Sequence, residues 1–293
     1  MRKHLAAGLL LALGAITLVA APARAQLTFP GAAPISAGNV VVRTQPEVTD
    51  AGGGFRSLSD RNVLIYGASP DLAFVVQNNS IVSNSAEVGG RRITATGFGD
   101  TLFQTRYTIF QQDGIGSTIR VAPIIGIDIP TGMTDANSAL SRGAQPGTGA
   151  WGTRDAITTA WQTLYWGGGA EIGYQANSTA GSYHFGNPIY ADIGFHYLLW
   201  PSTIEGDVGG ELYASLEANY SSSPANLSFG QTVGGTGGQL LLVDPGVIWT
   251  TALYSVSFTA LLPANQRVAA NGGHYNYGAA LFFRRAFFTD YHW

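Results

Sequence analysis

The chain contains no cysteine. An exported protein without it has neither a disulfide framework nor a thiolate metal site. Lysine is almost as scarce: Lys3 is the only one, so every later basic residue is Arg. Charged residues of both signs make up 11% of the chain, against about 25% in an ordinary soluble domain. Beyond the N-terminal segment, no apolar run approaches the ~20 residues of a membrane-spanning helix. These absences exclude a disulfide-stapled scaffold, a basic nucleic-acid binder and a helical membrane protein.

What is present begins with a leader. "MRKH" supplies positive charge, "LAAGLLLALGAITLVA" is apolar, and "APARAQ" places Ala23 and Ala25 around Arg24. This is the three-part layout of a secretory signal peptide, with cleavage expected after Ala25. Losing Arg2, Lys3 and Arg24 leaves 12 basic residues of 15 against 18 acidic ones, a net charge of about −6. Glycine is abundant, 39 of 293 residues, and aromatics reach 11%.

The apolar content lies in alternation. In "IRVAPIIGIDIPTG", Ile119, Val121, Pro123, Ile125, Ile127 and Ile129 share one parity, while Arg120 and Asp128 share the other. A strand sends alternate side chains to opposite faces, so one face is aliphatic and the other carries charge. The same period-two pattern recurs in "DTLFQTRYTI", "GGAEIGYQ", "IYADIGFHYLL", "GELYASLEANY" and "YSVSFTALL". Strands are expected near 37–50, 60–68, 71–79, 90–96, 98–111, 117–130, 152–165, 167–176, 187–200, 209–221, 239–251, 253–262 and 275–293, with an even total near twelve. Pro123 removes a ladder donor, so a bulge or a rim position is expected there.

A β-sandwich also alternates. Three features favour lipid on the aliphatic face. Eleven residues from Ile119 to Ile129, tilted near 40°, cover roughly 25 Å, the apolar height of an outer-membrane barrel. Aromatics gather at strand ends: Tyr107 and Phe110, Trp161, Tyr165 and Trp166, Tyr197 and Trp200, Trp249 and Tyr254. The C-terminus "FFTDYHW" sets Phe287, Tyr291 and Trp293 on one parity, the kind of ending a barrel-insertion machinery reads. The expected fold is all-β: an antiparallel transmembrane β-barrel of about 12 strands. It comprises a signal peptide at 1–25, an N-terminal segment at 26–58 that is either a lumenal plug or a first strand, and the barrel at 59–293. The expected location is the bacterial outer membrane.

Three stretches carry a resemblance: "GFGDTLFQTRYTIF", "VAPIIGIDIPTG" and "GTGAWGTRDAITTAWQTLYWGGGAEIGYQ". They resemble the bacterial outer-membrane family named for the meta-pathway of phenol degradation, over roughly residues 60–200. The resemblance implies an outer-membrane barrel passing small molecules, hydrophobic or aromatic ones among them. It supplies no catalytic residues.

The residues read as lumen-lining are Asp100, Gln104, Arg106, Arg120, Asp128, Arg154, Glu171, Asp192, His196, Glu211 and Glu217, for they fall on the non-aliphatic faces. Either they set the selectivity of a water-bearing lumen or they pair off and fill a narrow barrel. "GTGAWG" matches a dinucleotide fingerprint, but lacks the preceding strand and following helix and reads as a loop. No two histidines or His–carboxylate pairs sit at metal-ligand spacing. No serine sits in a nucleophile elbow. No cofactor, metal, nucleic-acid partner or enzymatic activity is therefore expected. The expected partners are outer-membrane lipid, the insertion machinery and a small solute. A structural or adhesive barrel with a filled lumen, binding partners through the loop "TGMTDANSALSRGAQPGTGAWG", and a soluble secreted β-protein are the competing readings.

Overall fold

The computed structural model describes residues 37–203, 209–268 and 274–287. Twelve antiparallel strands close into one barrel. They are β1 (Val40–Ala51), β2 (Phe55–Gly67), β3 (Leu72–Val88) and β4, which runs in three pieces (Arg91–Gly97, Thr101–Tyr107 and Phe110–Gly114). Next come β5 (Ser117–Ile129), β6 (Gly152–Thr163), β7 (Trp166–Asn177) and β8 (Ile189–Trp200). The last four are β9 (Glu211–Ser223), β10 (Gly238–Thr250), β11 (Tyr254–Val268) and β12 (Tyr275–Phe287). Each strand pairs with its sequence neighbours, and β1 closes the wall against β12, from Val40↔Phe287 to Ala51↔Tyr275. No α-helix occurs among the described residues. Closure removes the exposed edges that an open sheet would present.

The first strand lies where the sequence left a plug or a strand open. Val40–Ala51 is built into the wall, and β2 begins at Phe55. Two strands expected at 90–96 and 98–111 are pieces of one strand. β4 breaks at residues 98–100 and again at 108–109. The second break lies opposite Pro123: Arg106 pairs with Ile124 on one side of it, and Phe110 with Val121 on the other. A residue with no N–H faces the place where the ladder has no use for one.

The strands are strongly tilted, as a hydrogen-bond line across the wall shows. It starts at Val40 and passes Tyr66, Phe74, Thr105, Ile125, Asp155, Tyr174, Ile189, Ser222, Gln239 and Arg267. The line leaves one mouth on β1 and arrives near the other on β10, the stagger that barrel closure requires. The short turns at 68–71, 115–116, 164–165 and 251–253 sit at the mouth where β1 begins and β12 ends. The longest described connections, residues 130–151, 178–188 and 224–237, sit at the opposite mouth. By the pattern of outer-membrane barrels, the first mouth is periplasmic and the second external.

Alternation assigns the two faces. Ile125, Ile127, Ile157, Ile172, Ile193, Phe195, Leu216, Val247, Phe258 and Leu281 are all exposed on the outside. So continuous an apolar surface is far larger than a water-soluble monomer carries. Near the periplasmic mouth it is rimmed by Tyr66, Tyr107, Trp166, Tyr197, Trp249 and Tyr254, all exposed. Trp200 and Trp249 stack there at 5.8 Å between ring centroids. This is the aromatic girdle of a membrane interface. The inner face holds the buried residues, and most of the buried charges lie in mid-wall.

The connection at residues 130–151 does not project outward. A short 3-10 turn at Arg142–Ala144 sits within it. Leu140 and Ala144 pack against Ala51, Phe55, Ala86 and Ala95 on the inner faces of β1 to β4. Asn84 Nδ2 donates to the Ala144 carbonyl at 3.0 Å, and Asn137 Nδ2 to the Thr94 carbonyl at 2.9 Å. The loop is thus folded inward over the external end of the lumen. A four-stranded patch of two-residue strands joins Tyr183–His184 with Leu227–Ser228 and their partners at the same mouth.

Candidate functional site: the barrel lumen

The inward parity of each strand decides what the lumen presents. On β1 it carries Arg43, Gln45 and Glu47; on β2, Arg61; on β4, Gln104 and Arg106; on β12, Phe282 and Arg284. On the facing arc, β7 carries Glu171, β8 Asp192 and His196, β9 Ser215, Glu217 and Asn219, and β10 Asp244 and Gly246. Corrected for stagger, Arg43, Arg61, Arg106 and Arg284 and the carboxylates Glu171, Asp192, Glu217 and Asp244 occupy one belt around mid-barrel. Arginines line one side of that belt and carboxylates the other.

Within the arginine arc, Arg43 and Arg284 are direct cross-strand partners. Like charges directly opposite one another destabilise a sheet. Arg43 is in electrostatic contact with Arg61, Arg284 and Arg106, and across the lumen with Glu217. Arg106 is similarly coupled to Glu171 across the lumen and to Arg120 beside it. Arg43 also lies over the Phe282 ring, 5.4 Å from its centroid. In the carboxylate arc, Glu171 and Asp192 are register partners, as are Glu217 and Asp244. Asp244 is tied to the wall: Asn219 Nδ2 donates to it at 2.6 Å and the Leu262 amide at 3.3 Å. Glu47 sits on the arginine side, coupled to Arg61 and Asp244.

Of the residues named from sequence, the fold brings Arg106, Glu171, Asp192 and Glu217 together in the belt, with Gln104 inward at the register of Gly126. His196 lies below it, edge-on to Tyr213 with 5.0 Å between ring centroids. The others lie elsewhere. Glu211 is at the periplasmic end, accepting the Tyr213 hydroxyl at 2.6 Å. Arg120 lies near that mouth too, 3.9 Å from Asp113. Arg154 and Asp128 approach to 3.8 Å toward the external end, and Arg154 Nη2 also donates to Gln175 Oε1 at 2.8 Å. Asp100 sits in the first break of β4 and anchors the inward loop. It accepts from the Gly132 amide at 2.9 Å, the Thr148 amide at 2.7 Å and the Thr148 hydroxyl at 2.5 Å. "GTGAWG" lies in that same loop base, where Gly147 touches the Gly132 backbone so closely that no side chain fits between them.

Five belt residues, Arg43, Glu47, Arg61, Asp244 and Arg284, escape the sequence reading. Beside the belt, Leu242, Leu261, Ala280 and Phe282 form an apolar patch on the inner wall of β10 to β12. Phe287 faces outward at the periplasmic rim, with the Arg285 guanidinium 4.7 Å from its ring centroid. Tyr291 and Trp293 lie outside the described residues.

A family model described as "Putative MetA-pathway of phenol degradation" matches residues 32–274. Among solved structures, the chain is similar to the COG4313 outer membrane channel from Pseudomonas putida F1, with 14% identity and a TM-score of 0.66 over 89% of this chain and 100% of that one. It is more distantly similar to the β-domain of the Bordetella autotransporter BrkA, with 10% identity and a TM-score of 0.44 over 86% and 100% of the two chains. LpxR from Salmonella typhimurium matches with 9% identity and a TM-score of 0.43 over 86% and 100%. No curated protein matches the sequence. The fold, its apolar exterior, the family match and the likeness to the Pseudomonas channel make the molecule a bacterial outer-membrane β-barrel.

Proposed function

Starting from a chain that belongs to the family described as "Putative MetA-pathway of phenol degradation", we propose a passive outer-membrane channel or facilitator for small molecules. Hydrophobic and aromatic compounds are among its solutes. The observation that carries this reading is the mid-barrel belt: charged side chains point inward from eight of the twelve strands of a closed wall whose outside is apolar. Charges enclosed this way line a polar route and select the solutes that pass along it. The patch of Leu242, Leu261, Ala280 and Phe282 beside the belt offers the same route an apolar side, suited to an aromatic body. No chemical step is required of the wall. Its part is to admit, orient and release. The Pseudomonas putida protein of the same fold is itself described as an outer membrane channel.

The experiment is reconstitution of the purified chain in planar bilayers and liposomes. Discrete single-channel currents and faster uptake of small solutes, phenol-sized aromatics included, are expected. A folded, heat-modifiable protein giving neither would remove the proposal.

One observation favours a second reading, a structural or adhesive barrel with a filled lumen. The belt carboxylates and Arg106 are buried, Arg43, Arg61 and Arg284 are half-buried, and the loop at 130–151 folds over the external end. Deleting residues 135–146 separates the two: a channel conducts more when its cap is shortened, whereas a filled strut keeps the same conductance, near zero. We also propose that residues 1–25 are a cleaved signal peptide. Phe287, Tyr291 and Trp293 would form the C-terminal signature taken up by the barrel-insertion machinery.

A further inference from the structure

The belt is divided by sign. Four arginines occupy the arc from β12 through β1 and β2 to β4, with Glu47 the one carboxylate among them, and carboxylates without an arginine the arc from β7 to β10. A lumen lined by mixed charges in random order would carry little net field across it. One divided in this way carries a field perpendicular to the barrel axis, which acts in a low-dielectric enclosure. Such a field does little for a uniformly charged ion, because each ion gains on one wall and loses on the other. It favours a solute whose own charges are separated.

A second observation lies at the β11 edge of the carboxylate arc. Ser215 on β9, Ser257 and Thr259 on β11 are all turned inward and buried, with Thr259 0% and Ser257 2% exposed. Their hydroxyl oxygens have no hydrogen-bond partner among the described residues. A buried hydroxyl without a partner carries a desolvation cost, which a bound polar group would relieve. Gly246 lies between two of them, and its missing side chain lets both hydroxyls close over its backbone. A methyl group there would collide with both Thr259 Oγ1 and Ser215 Oγ and push them apart. Glu217 follows Ser215 at the next inward position of β9, and Gly246 lies two residues from Asp244 on β10.

We propose that this belt is a binding station for small zwitterionic or strongly dipolar solutes. The cationic end would lie at Glu217 and Asp192, steadied by the hydroxyls of Ser215 and Thr259. The anionic end would lie at Arg43 and Arg284. The inference rests on the channel reading and narrows it to a solute class. The neighbouring Phe282 and Leu261 would accept an apolar body between the two charged ends.

The test is osmotic swelling of liposomes holding the full chain, with glycine as zwitterion, glycerol as a neutral solute of similar size, and sodium acetate and methylammonium chloride as single-charge probes. Glycine is expected to enter about threefold faster than glycerol. The double variants Arg43→Gln/Arg284→Gln and Asp192→Asn/Glu217→Gln are each expected to bring that ratio to about one. Their reversal potentials in a salt gradient should move oppositely, toward cations in the first and toward anions in the second. Gly246→Ala, which displaces the Ser215 and Thr259 hydroxyls without touching a charge, should lower the glycine rate and leave the reversal potential in place. Should a double variant fail to show heat-modifiable migration, the single changes Arg43→Gln and Glu217→Gln read the same split. A conducting wild-type channel that passes glycine no faster than glycerol overturns the zwitterion station and leaves the channel standing. Absence of any conductance and any uptake removes both.

Discussion

Two sectors of the wall are built differently. The ladders from β5 through β8 run without a single register shift, and their outer face is dominated by Ile125, Ile127, Ile157, Ile172, Ile193 and Phe195. Asp155, near the external end of β6, is the one charge on that face. The sector from β1 to β4 is irregular. Its ladders shift register at Asp50 and at Asp60, and β4 breaks twice. Its outer face holds a polar network. Thr44 Oγ1 donates to Asp60 Oδ1 at 2.7 Å, Asn62 Nδ2 to Ser80 Oγ at 2.7 Å, and Asn78 Nδ2 to Thr101 Oγ1 at 2.9 Å. The regular sector shows what lipid contact alone demands. The irregular one shows that the same wall tolerates polar groups toward lipid where each finds a partner, and that its bends make room for the inward loop.

Substitutions that break the contrast should rank accordingly. Ile193→Arg puts a charge on the regular face near mid-membrane. It should cost about 2–4 kcal/mol of stability, measured by denaturant titration of the barrel in liposomes. Gly147→Ala forces the loop base off Gly132 and should cost about 1–3 kcal/mol by overpacking. The expected sign is faster trypsin cleavage after Arg142, with the wall intact. Asp100→Asn weakens the same base by removing charge from three hydrogen bonds, with a loss of about 1–2 kcal/mol and a smaller rise in that cleavage. Asp60→Asn is the mildest change. It keeps the network's shape and removes a charge near lipid, so denaturation should shift by less than about 1 kcal/mol. If Asp60→Asn proved as damaging as Ile193→Arg, the two sectors would not differ in their tolerance of polar groups.

The contrast also explains what is legible in the sequence. In "IYADIGFHYLL" and "GELYASLEANY" period-two alternation is clean, so Asp192, Glu217 and their inward side can be read directly, and Glu171 with them. Alternation fails where residues come doubled. In "ALFFRRAFF" Phe282 and Phe283, then Arg284 and Arg285, are identical neighbours on opposite faces, which hides Arg284. Asp244 stands before Pro245 and Gly246 within the strand expected at 239–251, and the proline and glycine interrupt the period-two pattern that would mark it as inward. Pro245 is on the outer face, at the register of Leu216. Arg43 and Glu47 lie in a stretch with Pro46 that reads equally as plug or strand. β3 is longer than its pattern suggests because "NNSIVSNS" is polar on both faces, which only the polar outer network and the inward loop account for. The loop itself has composition typical of an exposed connection. Its inward fold depends on Asp100 and on two glycines distant in sequence, and no local pattern encodes that meeting.

Because the chain has no cysteine, one series of single-cysteine variants along β8 addresses the assignment of the two faces directly. A bimane label at positions 191, 193 and 195 and at positions 192, 194 and 196 would be exposed to brominated lipid in reconstituted vesicles. Strong quenching at Ala191, Ile193 and Phe195 and weak quenching at Asp192, Gly194 and His196 is the predicted result. Equal quenching along the strand, or labels at the odd positions reporting water, would contradict a wall that turns its aliphatic face to the membrane.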